Sequence, residues 1–240
     1  MTVDLFIPCF IDQLYPETAK NVVKLLKYAG IDIHYNPNQT CCGQPAYNSG
    51  HRDETRTLAL KFFKDFPNDR HIVSPSASCT AFIKNYYSKL FEKNSAEYTE
   101  YERIKKNIFE LTDFFVNQLN FTDFGASFSH KITYHDACSA LREYGIKEEP
   151  RTLLSKVNGL ELAEMENAEV CCGFGGTFLV KNKAISTAMT QQKVEGAMAT
   201  GADYIVSTEA SCLMNIQAYI KRQKLPIKTI HIADILASNL

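Results

Sequence analysis

The chain has 240 residues, with 26 Lys and Arg against 27 Asp and Glu, so its formal net charge is −1. A near-neutral chain argues against nucleic-acid binding as the main activity, because such binding relies on clustered positive charge. No run reaches the roughly 18 apolar residues of a membrane helix, and the first residues lack the basic segment of a signal peptide. We therefore expect a cytoplasmic chain that does not span a membrane and whose cysteines stay reduced.

The beginning of the chain alternates apolar strand-like runs with helical patterns. Residues 3–8 predict a strand that ends just before Cys9. Residues 17–29 carry apolar side chains at helical spacing and predict a helix. Residues 31–35 predict a second strand, which leads to a Cys-Cys-Gly loop at Cys41. The pattern is that of an α/β domain.

The first half continues in the same way. A long helix is expected over residues 53–66, and a third strand over residues 70–74 leads into Cys79. Residues 92–106 are rich in Glu and Lys and predict a solvated helix. The linker to the second half is expected near residues 120–129, where Gly, Ser, Thr and Asp gather.

The second half repeats this order. Strands are predicted over residues 131–135, 160–165 and 203–207, with a helix from Pro150 and a longer one over residues 183–200. Each half closes with a matching tail, apolar on alternate positions. Strand and helix alternation predicts two tandem, duplicated α/β domains with mainly parallel sheets. We expect them to occupy residues 1–125 and 126–240.

The cysteines repeat with the same spacing in both halves. They include two adjacent pairs, each followed by glycine, and the offset between the halves is 129 to 133 residues throughout. A constant offset of this kind indicates an internal duplication. The two sets are Cys9, Cys41, Cys42 and Cys79, and Cys138, Cys171, Cys172 and Cys212.

Every cysteine is expected at a strand-to-helix connection. Because the carboxyl ends of parallel strands form one edge of a sheet, each set of four should converge on a site of its own. Four thiolates repel one another unless a cation neutralises them, and soft thiolate sets select iron–sulfur clusters, zinc or Cu(I). Adjacent cysteines strain to chelate one ion but can reach two irons of one cluster. We favour an iron–sulfur cluster in each half, with zinc in one half as an alternative.

Residues beside the cysteines are candidates to contact such a cofactor. Glycine amides can approach a cluster closely, and a histidine next to a ligand can act as a proton relay with Asp136 or as an additional ligand. A histidine that closes its strand by a backbone hydrogen bond is the alternative. An oxygen ligand from Glu209 or Ser76 is a further possibility. The candidate cofactor-binding residues are Gly43, Gly173, Gly175, Gly176 and His135.

The second half carries the richer set of these neighbours, and this predicts two inequivalent centres. More glycine amides can point at sulfur there, which raises a cluster's reduction potential, whereas Glu209 would act in the opposite direction by adding negative charge. We expect hydrogen bonding to dominate, so that the second-half centre is reduced first.

The motifs resemble a known family. Cys9-x31-Cys41-Cys42-Gly43-x35-Cys79 and its repeat from Cys138 to Cys212 are similar to the duplicated cysteine-rich CCG domain. That domain occurs in the cysteine-rich subunit of heterodisulfide reductase and in iron–sulfur subunits of glycolate and glycerol-3-phosphate oxidation. Over its whole length the chain most resembles the lactate utilization protein A family, through residues 134–138, 171–176 and 211–215.

The resemblance implies a cytoplasmic iron–sulfur subunit with one 4Fe-4S cluster per half. It would act with other iron–sulfur and lactate-utilization subunits in the oxidation of L-lactate to pyruvate. The cysteine-rich subunit of heterodisulfide reductase has a further cysteine where this chain has Ser76 and Glu209. That departure argues against a noncubane cluster and against disulfide reduction. A zinc-binding structural module and a thiol/disulfide redox subunit are the alternative functions.

Overall fold

Two parallel sheets, each of four strands, organise residues 1–240, all of which the computed structural model describes. The strands of the first sheet are β1 (Thr2–Leu5), β2 (Asp32–Tyr35), β3 (Ile72–Ser74) and β4 (Ile108–Glu110). Those of the second are β5 (Lys131–Tyr134), β6 (Glu161–Leu162), β7 (Tyr204–Ser207) and β8 (Lys228–His231). The strand order is β2-β1-β3-β4 in the first sheet and β6-β5-β7-β8 in the second, and every pairing is parallel. The predicted duplicated α/β fold is confirmed.

Helices connect the strands in both halves. Those of the first half are α1 (Cys9–Leu14), α2 (Pro16–Tyr28), α3 (Gln44–Asn48), α4 (Arg52–Asp65), α5 (Ala77–Tyr86), α6 (Ala96–Asn107) and α7 (Leu111–Asp113), with a 3-10 turn at Tyr87–Lys89 and a π-helical turn at Phe114–Gln118. Those of the second are a π-helical turn at Ser139–Tyr144, α8 (Glu148–Leu154), α9 (Thr177–Lys181), α10 (Lys183–Ala199), α11 (Ala210–Gln223) and α12 (Ile232–Leu236). None of these helices is both long enough and apolar enough to cross a membrane.

Helix α2 shows how the sequence produces these elements. Pro16 occupies its first turn, where a missing N–H costs no hydrogen bond. Val22, Leu25 and Leu26 are fully buried and lie on one face at helical spacing. That face packs on the sheet, while the polar face of the helix remains in solvent.

The sequence expectations were wrong at three places. The closing tails each contain a fourth strand, β4 and β8, which were not predicted because runs of three or four residues carry little periodicity. Strand β6 is shorter than residues 160–165, since it is an edge strand paired with β5 over two residues only. Helix α6 is not simply solvated, because Tyr101 and Ile104 are buried and the Tyr101 hydroxyl donates to the Lys84 carbonyl at 2.7 Å.

The two halves share one hydrophobic core. A cluster of 26 buried apolar residues includes Leu25 from the first half and Ile132 from the second. Polar contacts reinforce this joint, since Thr18 and Asn21 donate to the carboxylate of Asp234 at 2.9 and 3.0 Å. The halves are therefore packed as one body, although each has its own sheet.

The segment that connects the two sheets forms main-chain hydrogen bonds with the second half. The main-chain N–H of Asn158 donates to the Ala126 carbonyl, and that of Phe128 donates to the Asn158 carbonyl, both at 2.9 Å. On these contacts we propose the division expected from the sequence, with domains over residues 1–125 and 126–240.

Leu25→Ala should destabilise the whole chain. Loss of a fully buried leucine costs about 2–5 kcal/mol of unfolding free energy, and the shared core predicts that both halves lose structure in a single transition. Urea denaturation of the metal-free chain, followed by circular dichroism and tyrosine fluorescence, measures both. Leu14→Ala, at a residue that is 53% exposed, serves as the control with little effect. Two separate transitions, with only one shifted by Leu25→Ala, would contradict the shared core.

Candidate metal centres

The four cysteines of the first half meet at the carboxyl ends of their strands. Cys9 begins α1 directly after β1, and Cys79 lies in the first turn of α5 after β3. Cys41 and Cys42 lie in the loop between β2 and α3. The sulfur atoms are 3.8 Å apart in the Cys9–Cys41 pair and 3.3 Å apart in the Cys42–Cys79 pair. The structure thus brings together the first predicted set of four.

The second half repeats this arrangement. Cys138 immediately precedes the π-helical turn after β5, and Cys212 lies in the first turn of α11 after β7. All four cysteines of this set line one cavity, and the sulfurs of Cys172 and Cys212 lie within 4.8 Å of each other. The second predicted set of four is therefore also brought together.

Both sets face the same cavity. It has a volume of about 570 Å³ and is lined by all eight cysteines. Phe10 of the first half and Phe174 of the second also line it, with ring centroids 5.7 Å apart in a perpendicular contact. The sequence predicts two sites but not their shared cavity, because the spacing of a duplication carries no information about how the two copies pack together.

One sulfur in each set has a lowered pKa, because neighbouring thiols donate to it. Hydrogen bonds from Cys42 and Cys9 lower the pKa of Cys41 to about 3. Hydrogen bonds from Cys138 and Cys172 lower the pKa of Cys171 in the same way. Donation to these sulfurs raises the pKa values of Cys9 and Cys138. Closely spaced thiols thus resist further ionisation, and a metal cation is the partner that would permit it. The donor set therefore fits a thiophilic metal or an iron–sulfur cluster.

A glycine follows each pair of adjacent cysteines and donates its amide to sulfur. The Gly43 N–H donates to Cys41 Sγ and the Gly173 N–H to Cys171 Sγ, both at 3.4 Å. Both glycines have positive φ, +90° and +86°, a region that other residues rarely adopt. Gly175 and Gly176 line the cavity, and the glycine amide that donates to sulfur in this loop is that of Gly173.

The Glu209 carboxylate contacts residues of both halves, and not only residues of the second half. One carboxylate oxygen accepts from the Ser78 N–H at 2.9 Å and from the Ser76 hydroxyl at 3.3 Å. The other accepts from the Ser211 hydroxyl at 2.9 Å. The carboxylate thus links the cysteine-bearing helices α5 and α11. This contact could not be expected from the sequence, because its partners are 131 residues apart in the chain.

His135 is fully buried against the second set of cysteines. A ring nitrogen lies within 4.8 Å of the sulfurs of Cys172 and Cys212, and neither ring nitrogen has a hydrogen-bond partner. Burial lowers its pKa to about 3, so the ring is neutral. Asp136 does not form a relay with it, because the Asp136 carboxylate pairs with Arg151 at 2.8 and 2.9 Å. The neutral ring is free to contact a cofactor.

A family model defines the class of protein. The model described as CCG, cysteine-rich domain, matches residues 3–84 and again residues 132–217. The chain is therefore a duplicated cysteine-rich-domain protein, in which each copy contains one of the two thiol sets.

Full-length relatives define the family more closely. "Lactate utilization protein A 2" of Bacillus cereus is 39% identical over 240 residues, which are all of this chain and 99% of that one. "Lactate utilization protein A" of Bacillus pumilus is 41% identical over 238 residues, which are 99% of this chain and all of that one. The chain belongs to the lactate utilization protein A family.

A solved structure shares the fold. A hypothetical protein from Helicobacter pylori superposes with a TM-score of 0.66 at 13% identity, over 99% of this chain. The match spans about half of that protein, 48% of its chain. At this identity the similarity supports the architecture alone.

Gly173→Ala should disrupt the second site more than Gly43→Ala disrupts the first. An added Cβ at Gly173 would lie 2.5 Å from the Ser186 carbonyl oxygen, a backbone atom. At Gly43 the nearest atom would be the Thr55 methyl carbon, at 3.3 Å. Positive φ strains alanine at both positions, so the difference between the two variants measures the additional steric clash at position 173. Metal content per chain and thermal melting measure it, and equal losses in the two variants would contradict this packing.

Proposed function

We propose that this chain is an iron–sulfur electron-transfer subunit of a cytoplasmic oxidoreductase that oxidises L-lactate to pyruvate with partner subunits. The observation that carries the proposal is the convergence of two sets of four thiols on one cavity. Membership of the lactate utilization protein A family supports the link to lactate, through the names of its relatives.

Each half would hold one cluster, of the 4Fe-4S type, through its own thiol set. The ligands would be Cys9, Cys41, Cys42 and Cys79 in the first half, and Cys138, Cys171, Cys172 and Cys212 in the second. When bound, such a cluster supplies one-electron storage. The chain would contribute thiolates, amide hydrogen bonds to Cys41 and Cys171, and a cavity that both thiol sets share.

The cavity itself is unsuited to binding a 2-hydroxy acid. Oxidation of lactate to pyruvate releases two electrons and two protons, and the substrate carboxylate needs a cationic partner to be held. No Lys, Arg or His lines the cavity, whereas Glu143 and Glu209 do. We therefore assign the chemistry at lactate to a partner subunit, and assign to this chain the one-at-a-time transfer of its electrons.

A zinc-binding structural module is the second candidate function. The Cys9–Cys41 sulfur separation of 3.8 Å equals the edge of a tetrahedron with zinc–sulfur bonds of about 2.3 Å. Zinc in one half and a cluster in the other is the mixed case. Zinc carries no electrons and no colour, so the candidates differ in a direct measurement.

Anaerobically purified protein should contain about eight irons and eight acid-labile sulfides per chain, with broad absorption near 400 nm. Cys41→Ser and Cys171→Ser should each remove about half of the iron, from the first and the second site respectively. Combination of the two changes should remove nearly all of it. Stoichiometric zinc without labile sulfide, or unchanged iron in either single variant, would contradict the proposal.

His135→Phe tests the proposed contact of His135 with the second cofactor. Phe6 is the equivalent residue of the first half, because its N–H donates to Val73 of β3 as that of His135 donates to Val206 of β7. The change therefore makes the second site resemble the first. The EPR signal of the second centre should change in shape while that of the first stays constant. Phe6→Leu is the matched control. An unaltered second-centre signal would exclude the contact.

A further inference from the structure

The two halves differ in the residues that lie beneath their thiol sets. The Phe6 N–H donates to the Val73 carbonyl at 3.0 Å, and the His135 N–H donates to the Val206 carbonyl at 2.8 Å. These bonds extend equivalent strand pairs, β1 with β3 and β5 with β7. Phe6 and His135 are therefore structurally equivalent, an apolar ring in one half and a polar ring in the other.

The helix that follows each Cys-Cys-Gly loop contains a second difference. Gly43 packs against Thr55 and Leu58 of α4, and Gly173 packs against Ser186 and Met189 of α10. These contacts fix a register of 131 residues between the helices. In that register Lys193 of α10 is equivalent to Phe62 of α4.

At this position the first half has a contact between two aromatic rings, Phe6 and Phe62, whereas the second half has a buried lysine, Lys193. The rings of Phe6 and Phe62 lie 5.0 Å apart between centroids, in a perpendicular contact. Lys193 is only 4% exposed, and its ammonium donates to two main-chain carbonyls and to no carboxylate. A buried cation without an anionic partner is costly, so this one calls for a source of negative charge.

Lys193 and its helix, α10, contact the segment that contains the adjacent cysteines of the second thiol set. Its ammonium donates to the carbonyls of Asn167 and Ala168 at 2.8 and 2.9 Å, a few residues before the adjacent cysteines. One turn earlier on α10, the Thr190 hydroxyl donates to the Cys172 carbonyl at 2.8 Å. Among the charges that act on Lys193, Cys172 is the strongest and the Asp136 carboxylate is the next, and Cys171 and Cys212 also contribute.

We propose that Lys193 positions the loop of the second metal centre and supplies the positive charge that makes this centre easier to reduce than the first. Reduction adds negative charge to a centre, and a nearby ammonium in a region of low dielectric stabilises it. The first half has Phe62 at this place and lacks that stabilisation. The inference rests on the proposed iron–sulfur function.

The sequence predicted inequivalent centres for a different reason, the number of glycine amides near sulfur and the charge of Glu209. Glycine amides were expected to differ between the halves, but each half has one glycine amide that donates to sulfur, and both hydrogen bonds are 3.4 Å long. Glu209 was expected to oppose them, but both of its oxygens accept hydrogen bonds from serine groups. The buried ammonium of Lys193 is a further difference in charge, because Phe62 occupies the equivalent place in the first half.

Stepwise reductive titration followed by EPR tests the proposal on Lys193→Met, Lys193→Gln and Lys193→Arg. Cys41→Ser and Cys171→Ser assign the two signals. Loss of the charge in the Met and Gln variants should lower the equilibrium constant for reduction of the second centre about tenfold, 59 mV for one electron. The first centre should not shift, and Lys193→Arg should remain near the wild type. Phe62→Met is the control, and melting curves verify folding.

The Gln variant separates charge from hydrogen bonding, because its amide can still donate to the loop carbonyls. An unchanged second potential in the Met and Gln variants would overturn the proposal. Equal shifts of both centres, or an equal fall in the Arg variant, would also overturn it.

Failure of the proposed function would be visible separately, in the wild type. If that protein contains zinc and no reducible centre, the second site of Lys193→Gln should lose zinc to a chelator about tenfold more readily than in the wild type. Unchanged retention would overturn the role of Lys193, and a wild type that binds no metal would overturn both proposals.

Discussion

Repulsion between closely packed thiolates is the constraint on which this structure depends. Parallel strands deliver four cysteines to one edge of each sheet, and the sulfurs approach to 3.3 and 3.8 Å in the first half. One sulfur in each set, that of Cys41 or Cys171, has a low pKa because neighbouring thiols donate to it. The positive-φ glycines and their amides stabilise that sulfur. The arrangement is suited to a cation that allows the other thiols to ionise.

The internal duplication places two such thiol sets in one chain. A shared core and the Glu209 carboxylate hold the halves so that both thiol sets open into one cavity. Two centres placed in this way could exchange electrons over a short distance. Because the cavity has no cationic lining, it does not provide a site for the lactate carboxylate, which agrees with a division of labour between this chain and a partner.

Much of the fold and the grouping of the cysteines into two sets could be predicted from the sequence, because cysteine spacing and strand–helix alternation are local patterns. The short strands β4 and β8, the buried stripe of α6 at Tyr101 and the true neighbours of Glu209 were missed. These features depend on tertiary contacts, such as the one between Ser78 and Glu209. Lys193 was missed for the same reason. A single lysine in a helix is normally exposed to solvent, and the burial of Lys193 follows only from its tertiary contacts.

The central claim is that two metal centres face one cavity, and magnetic coupling tests it most directly. EPR spectra of the fully reduced wild type should be broadened or split by interaction between the two spins. This broadening should vanish in Cys41→Ser and in Cys171→Ser, each of which retains a single centre. A wild-type spectrum equal to the sum of the two single-centre spectra would contradict the account, because it would show that the centres do not lie across a common cavity.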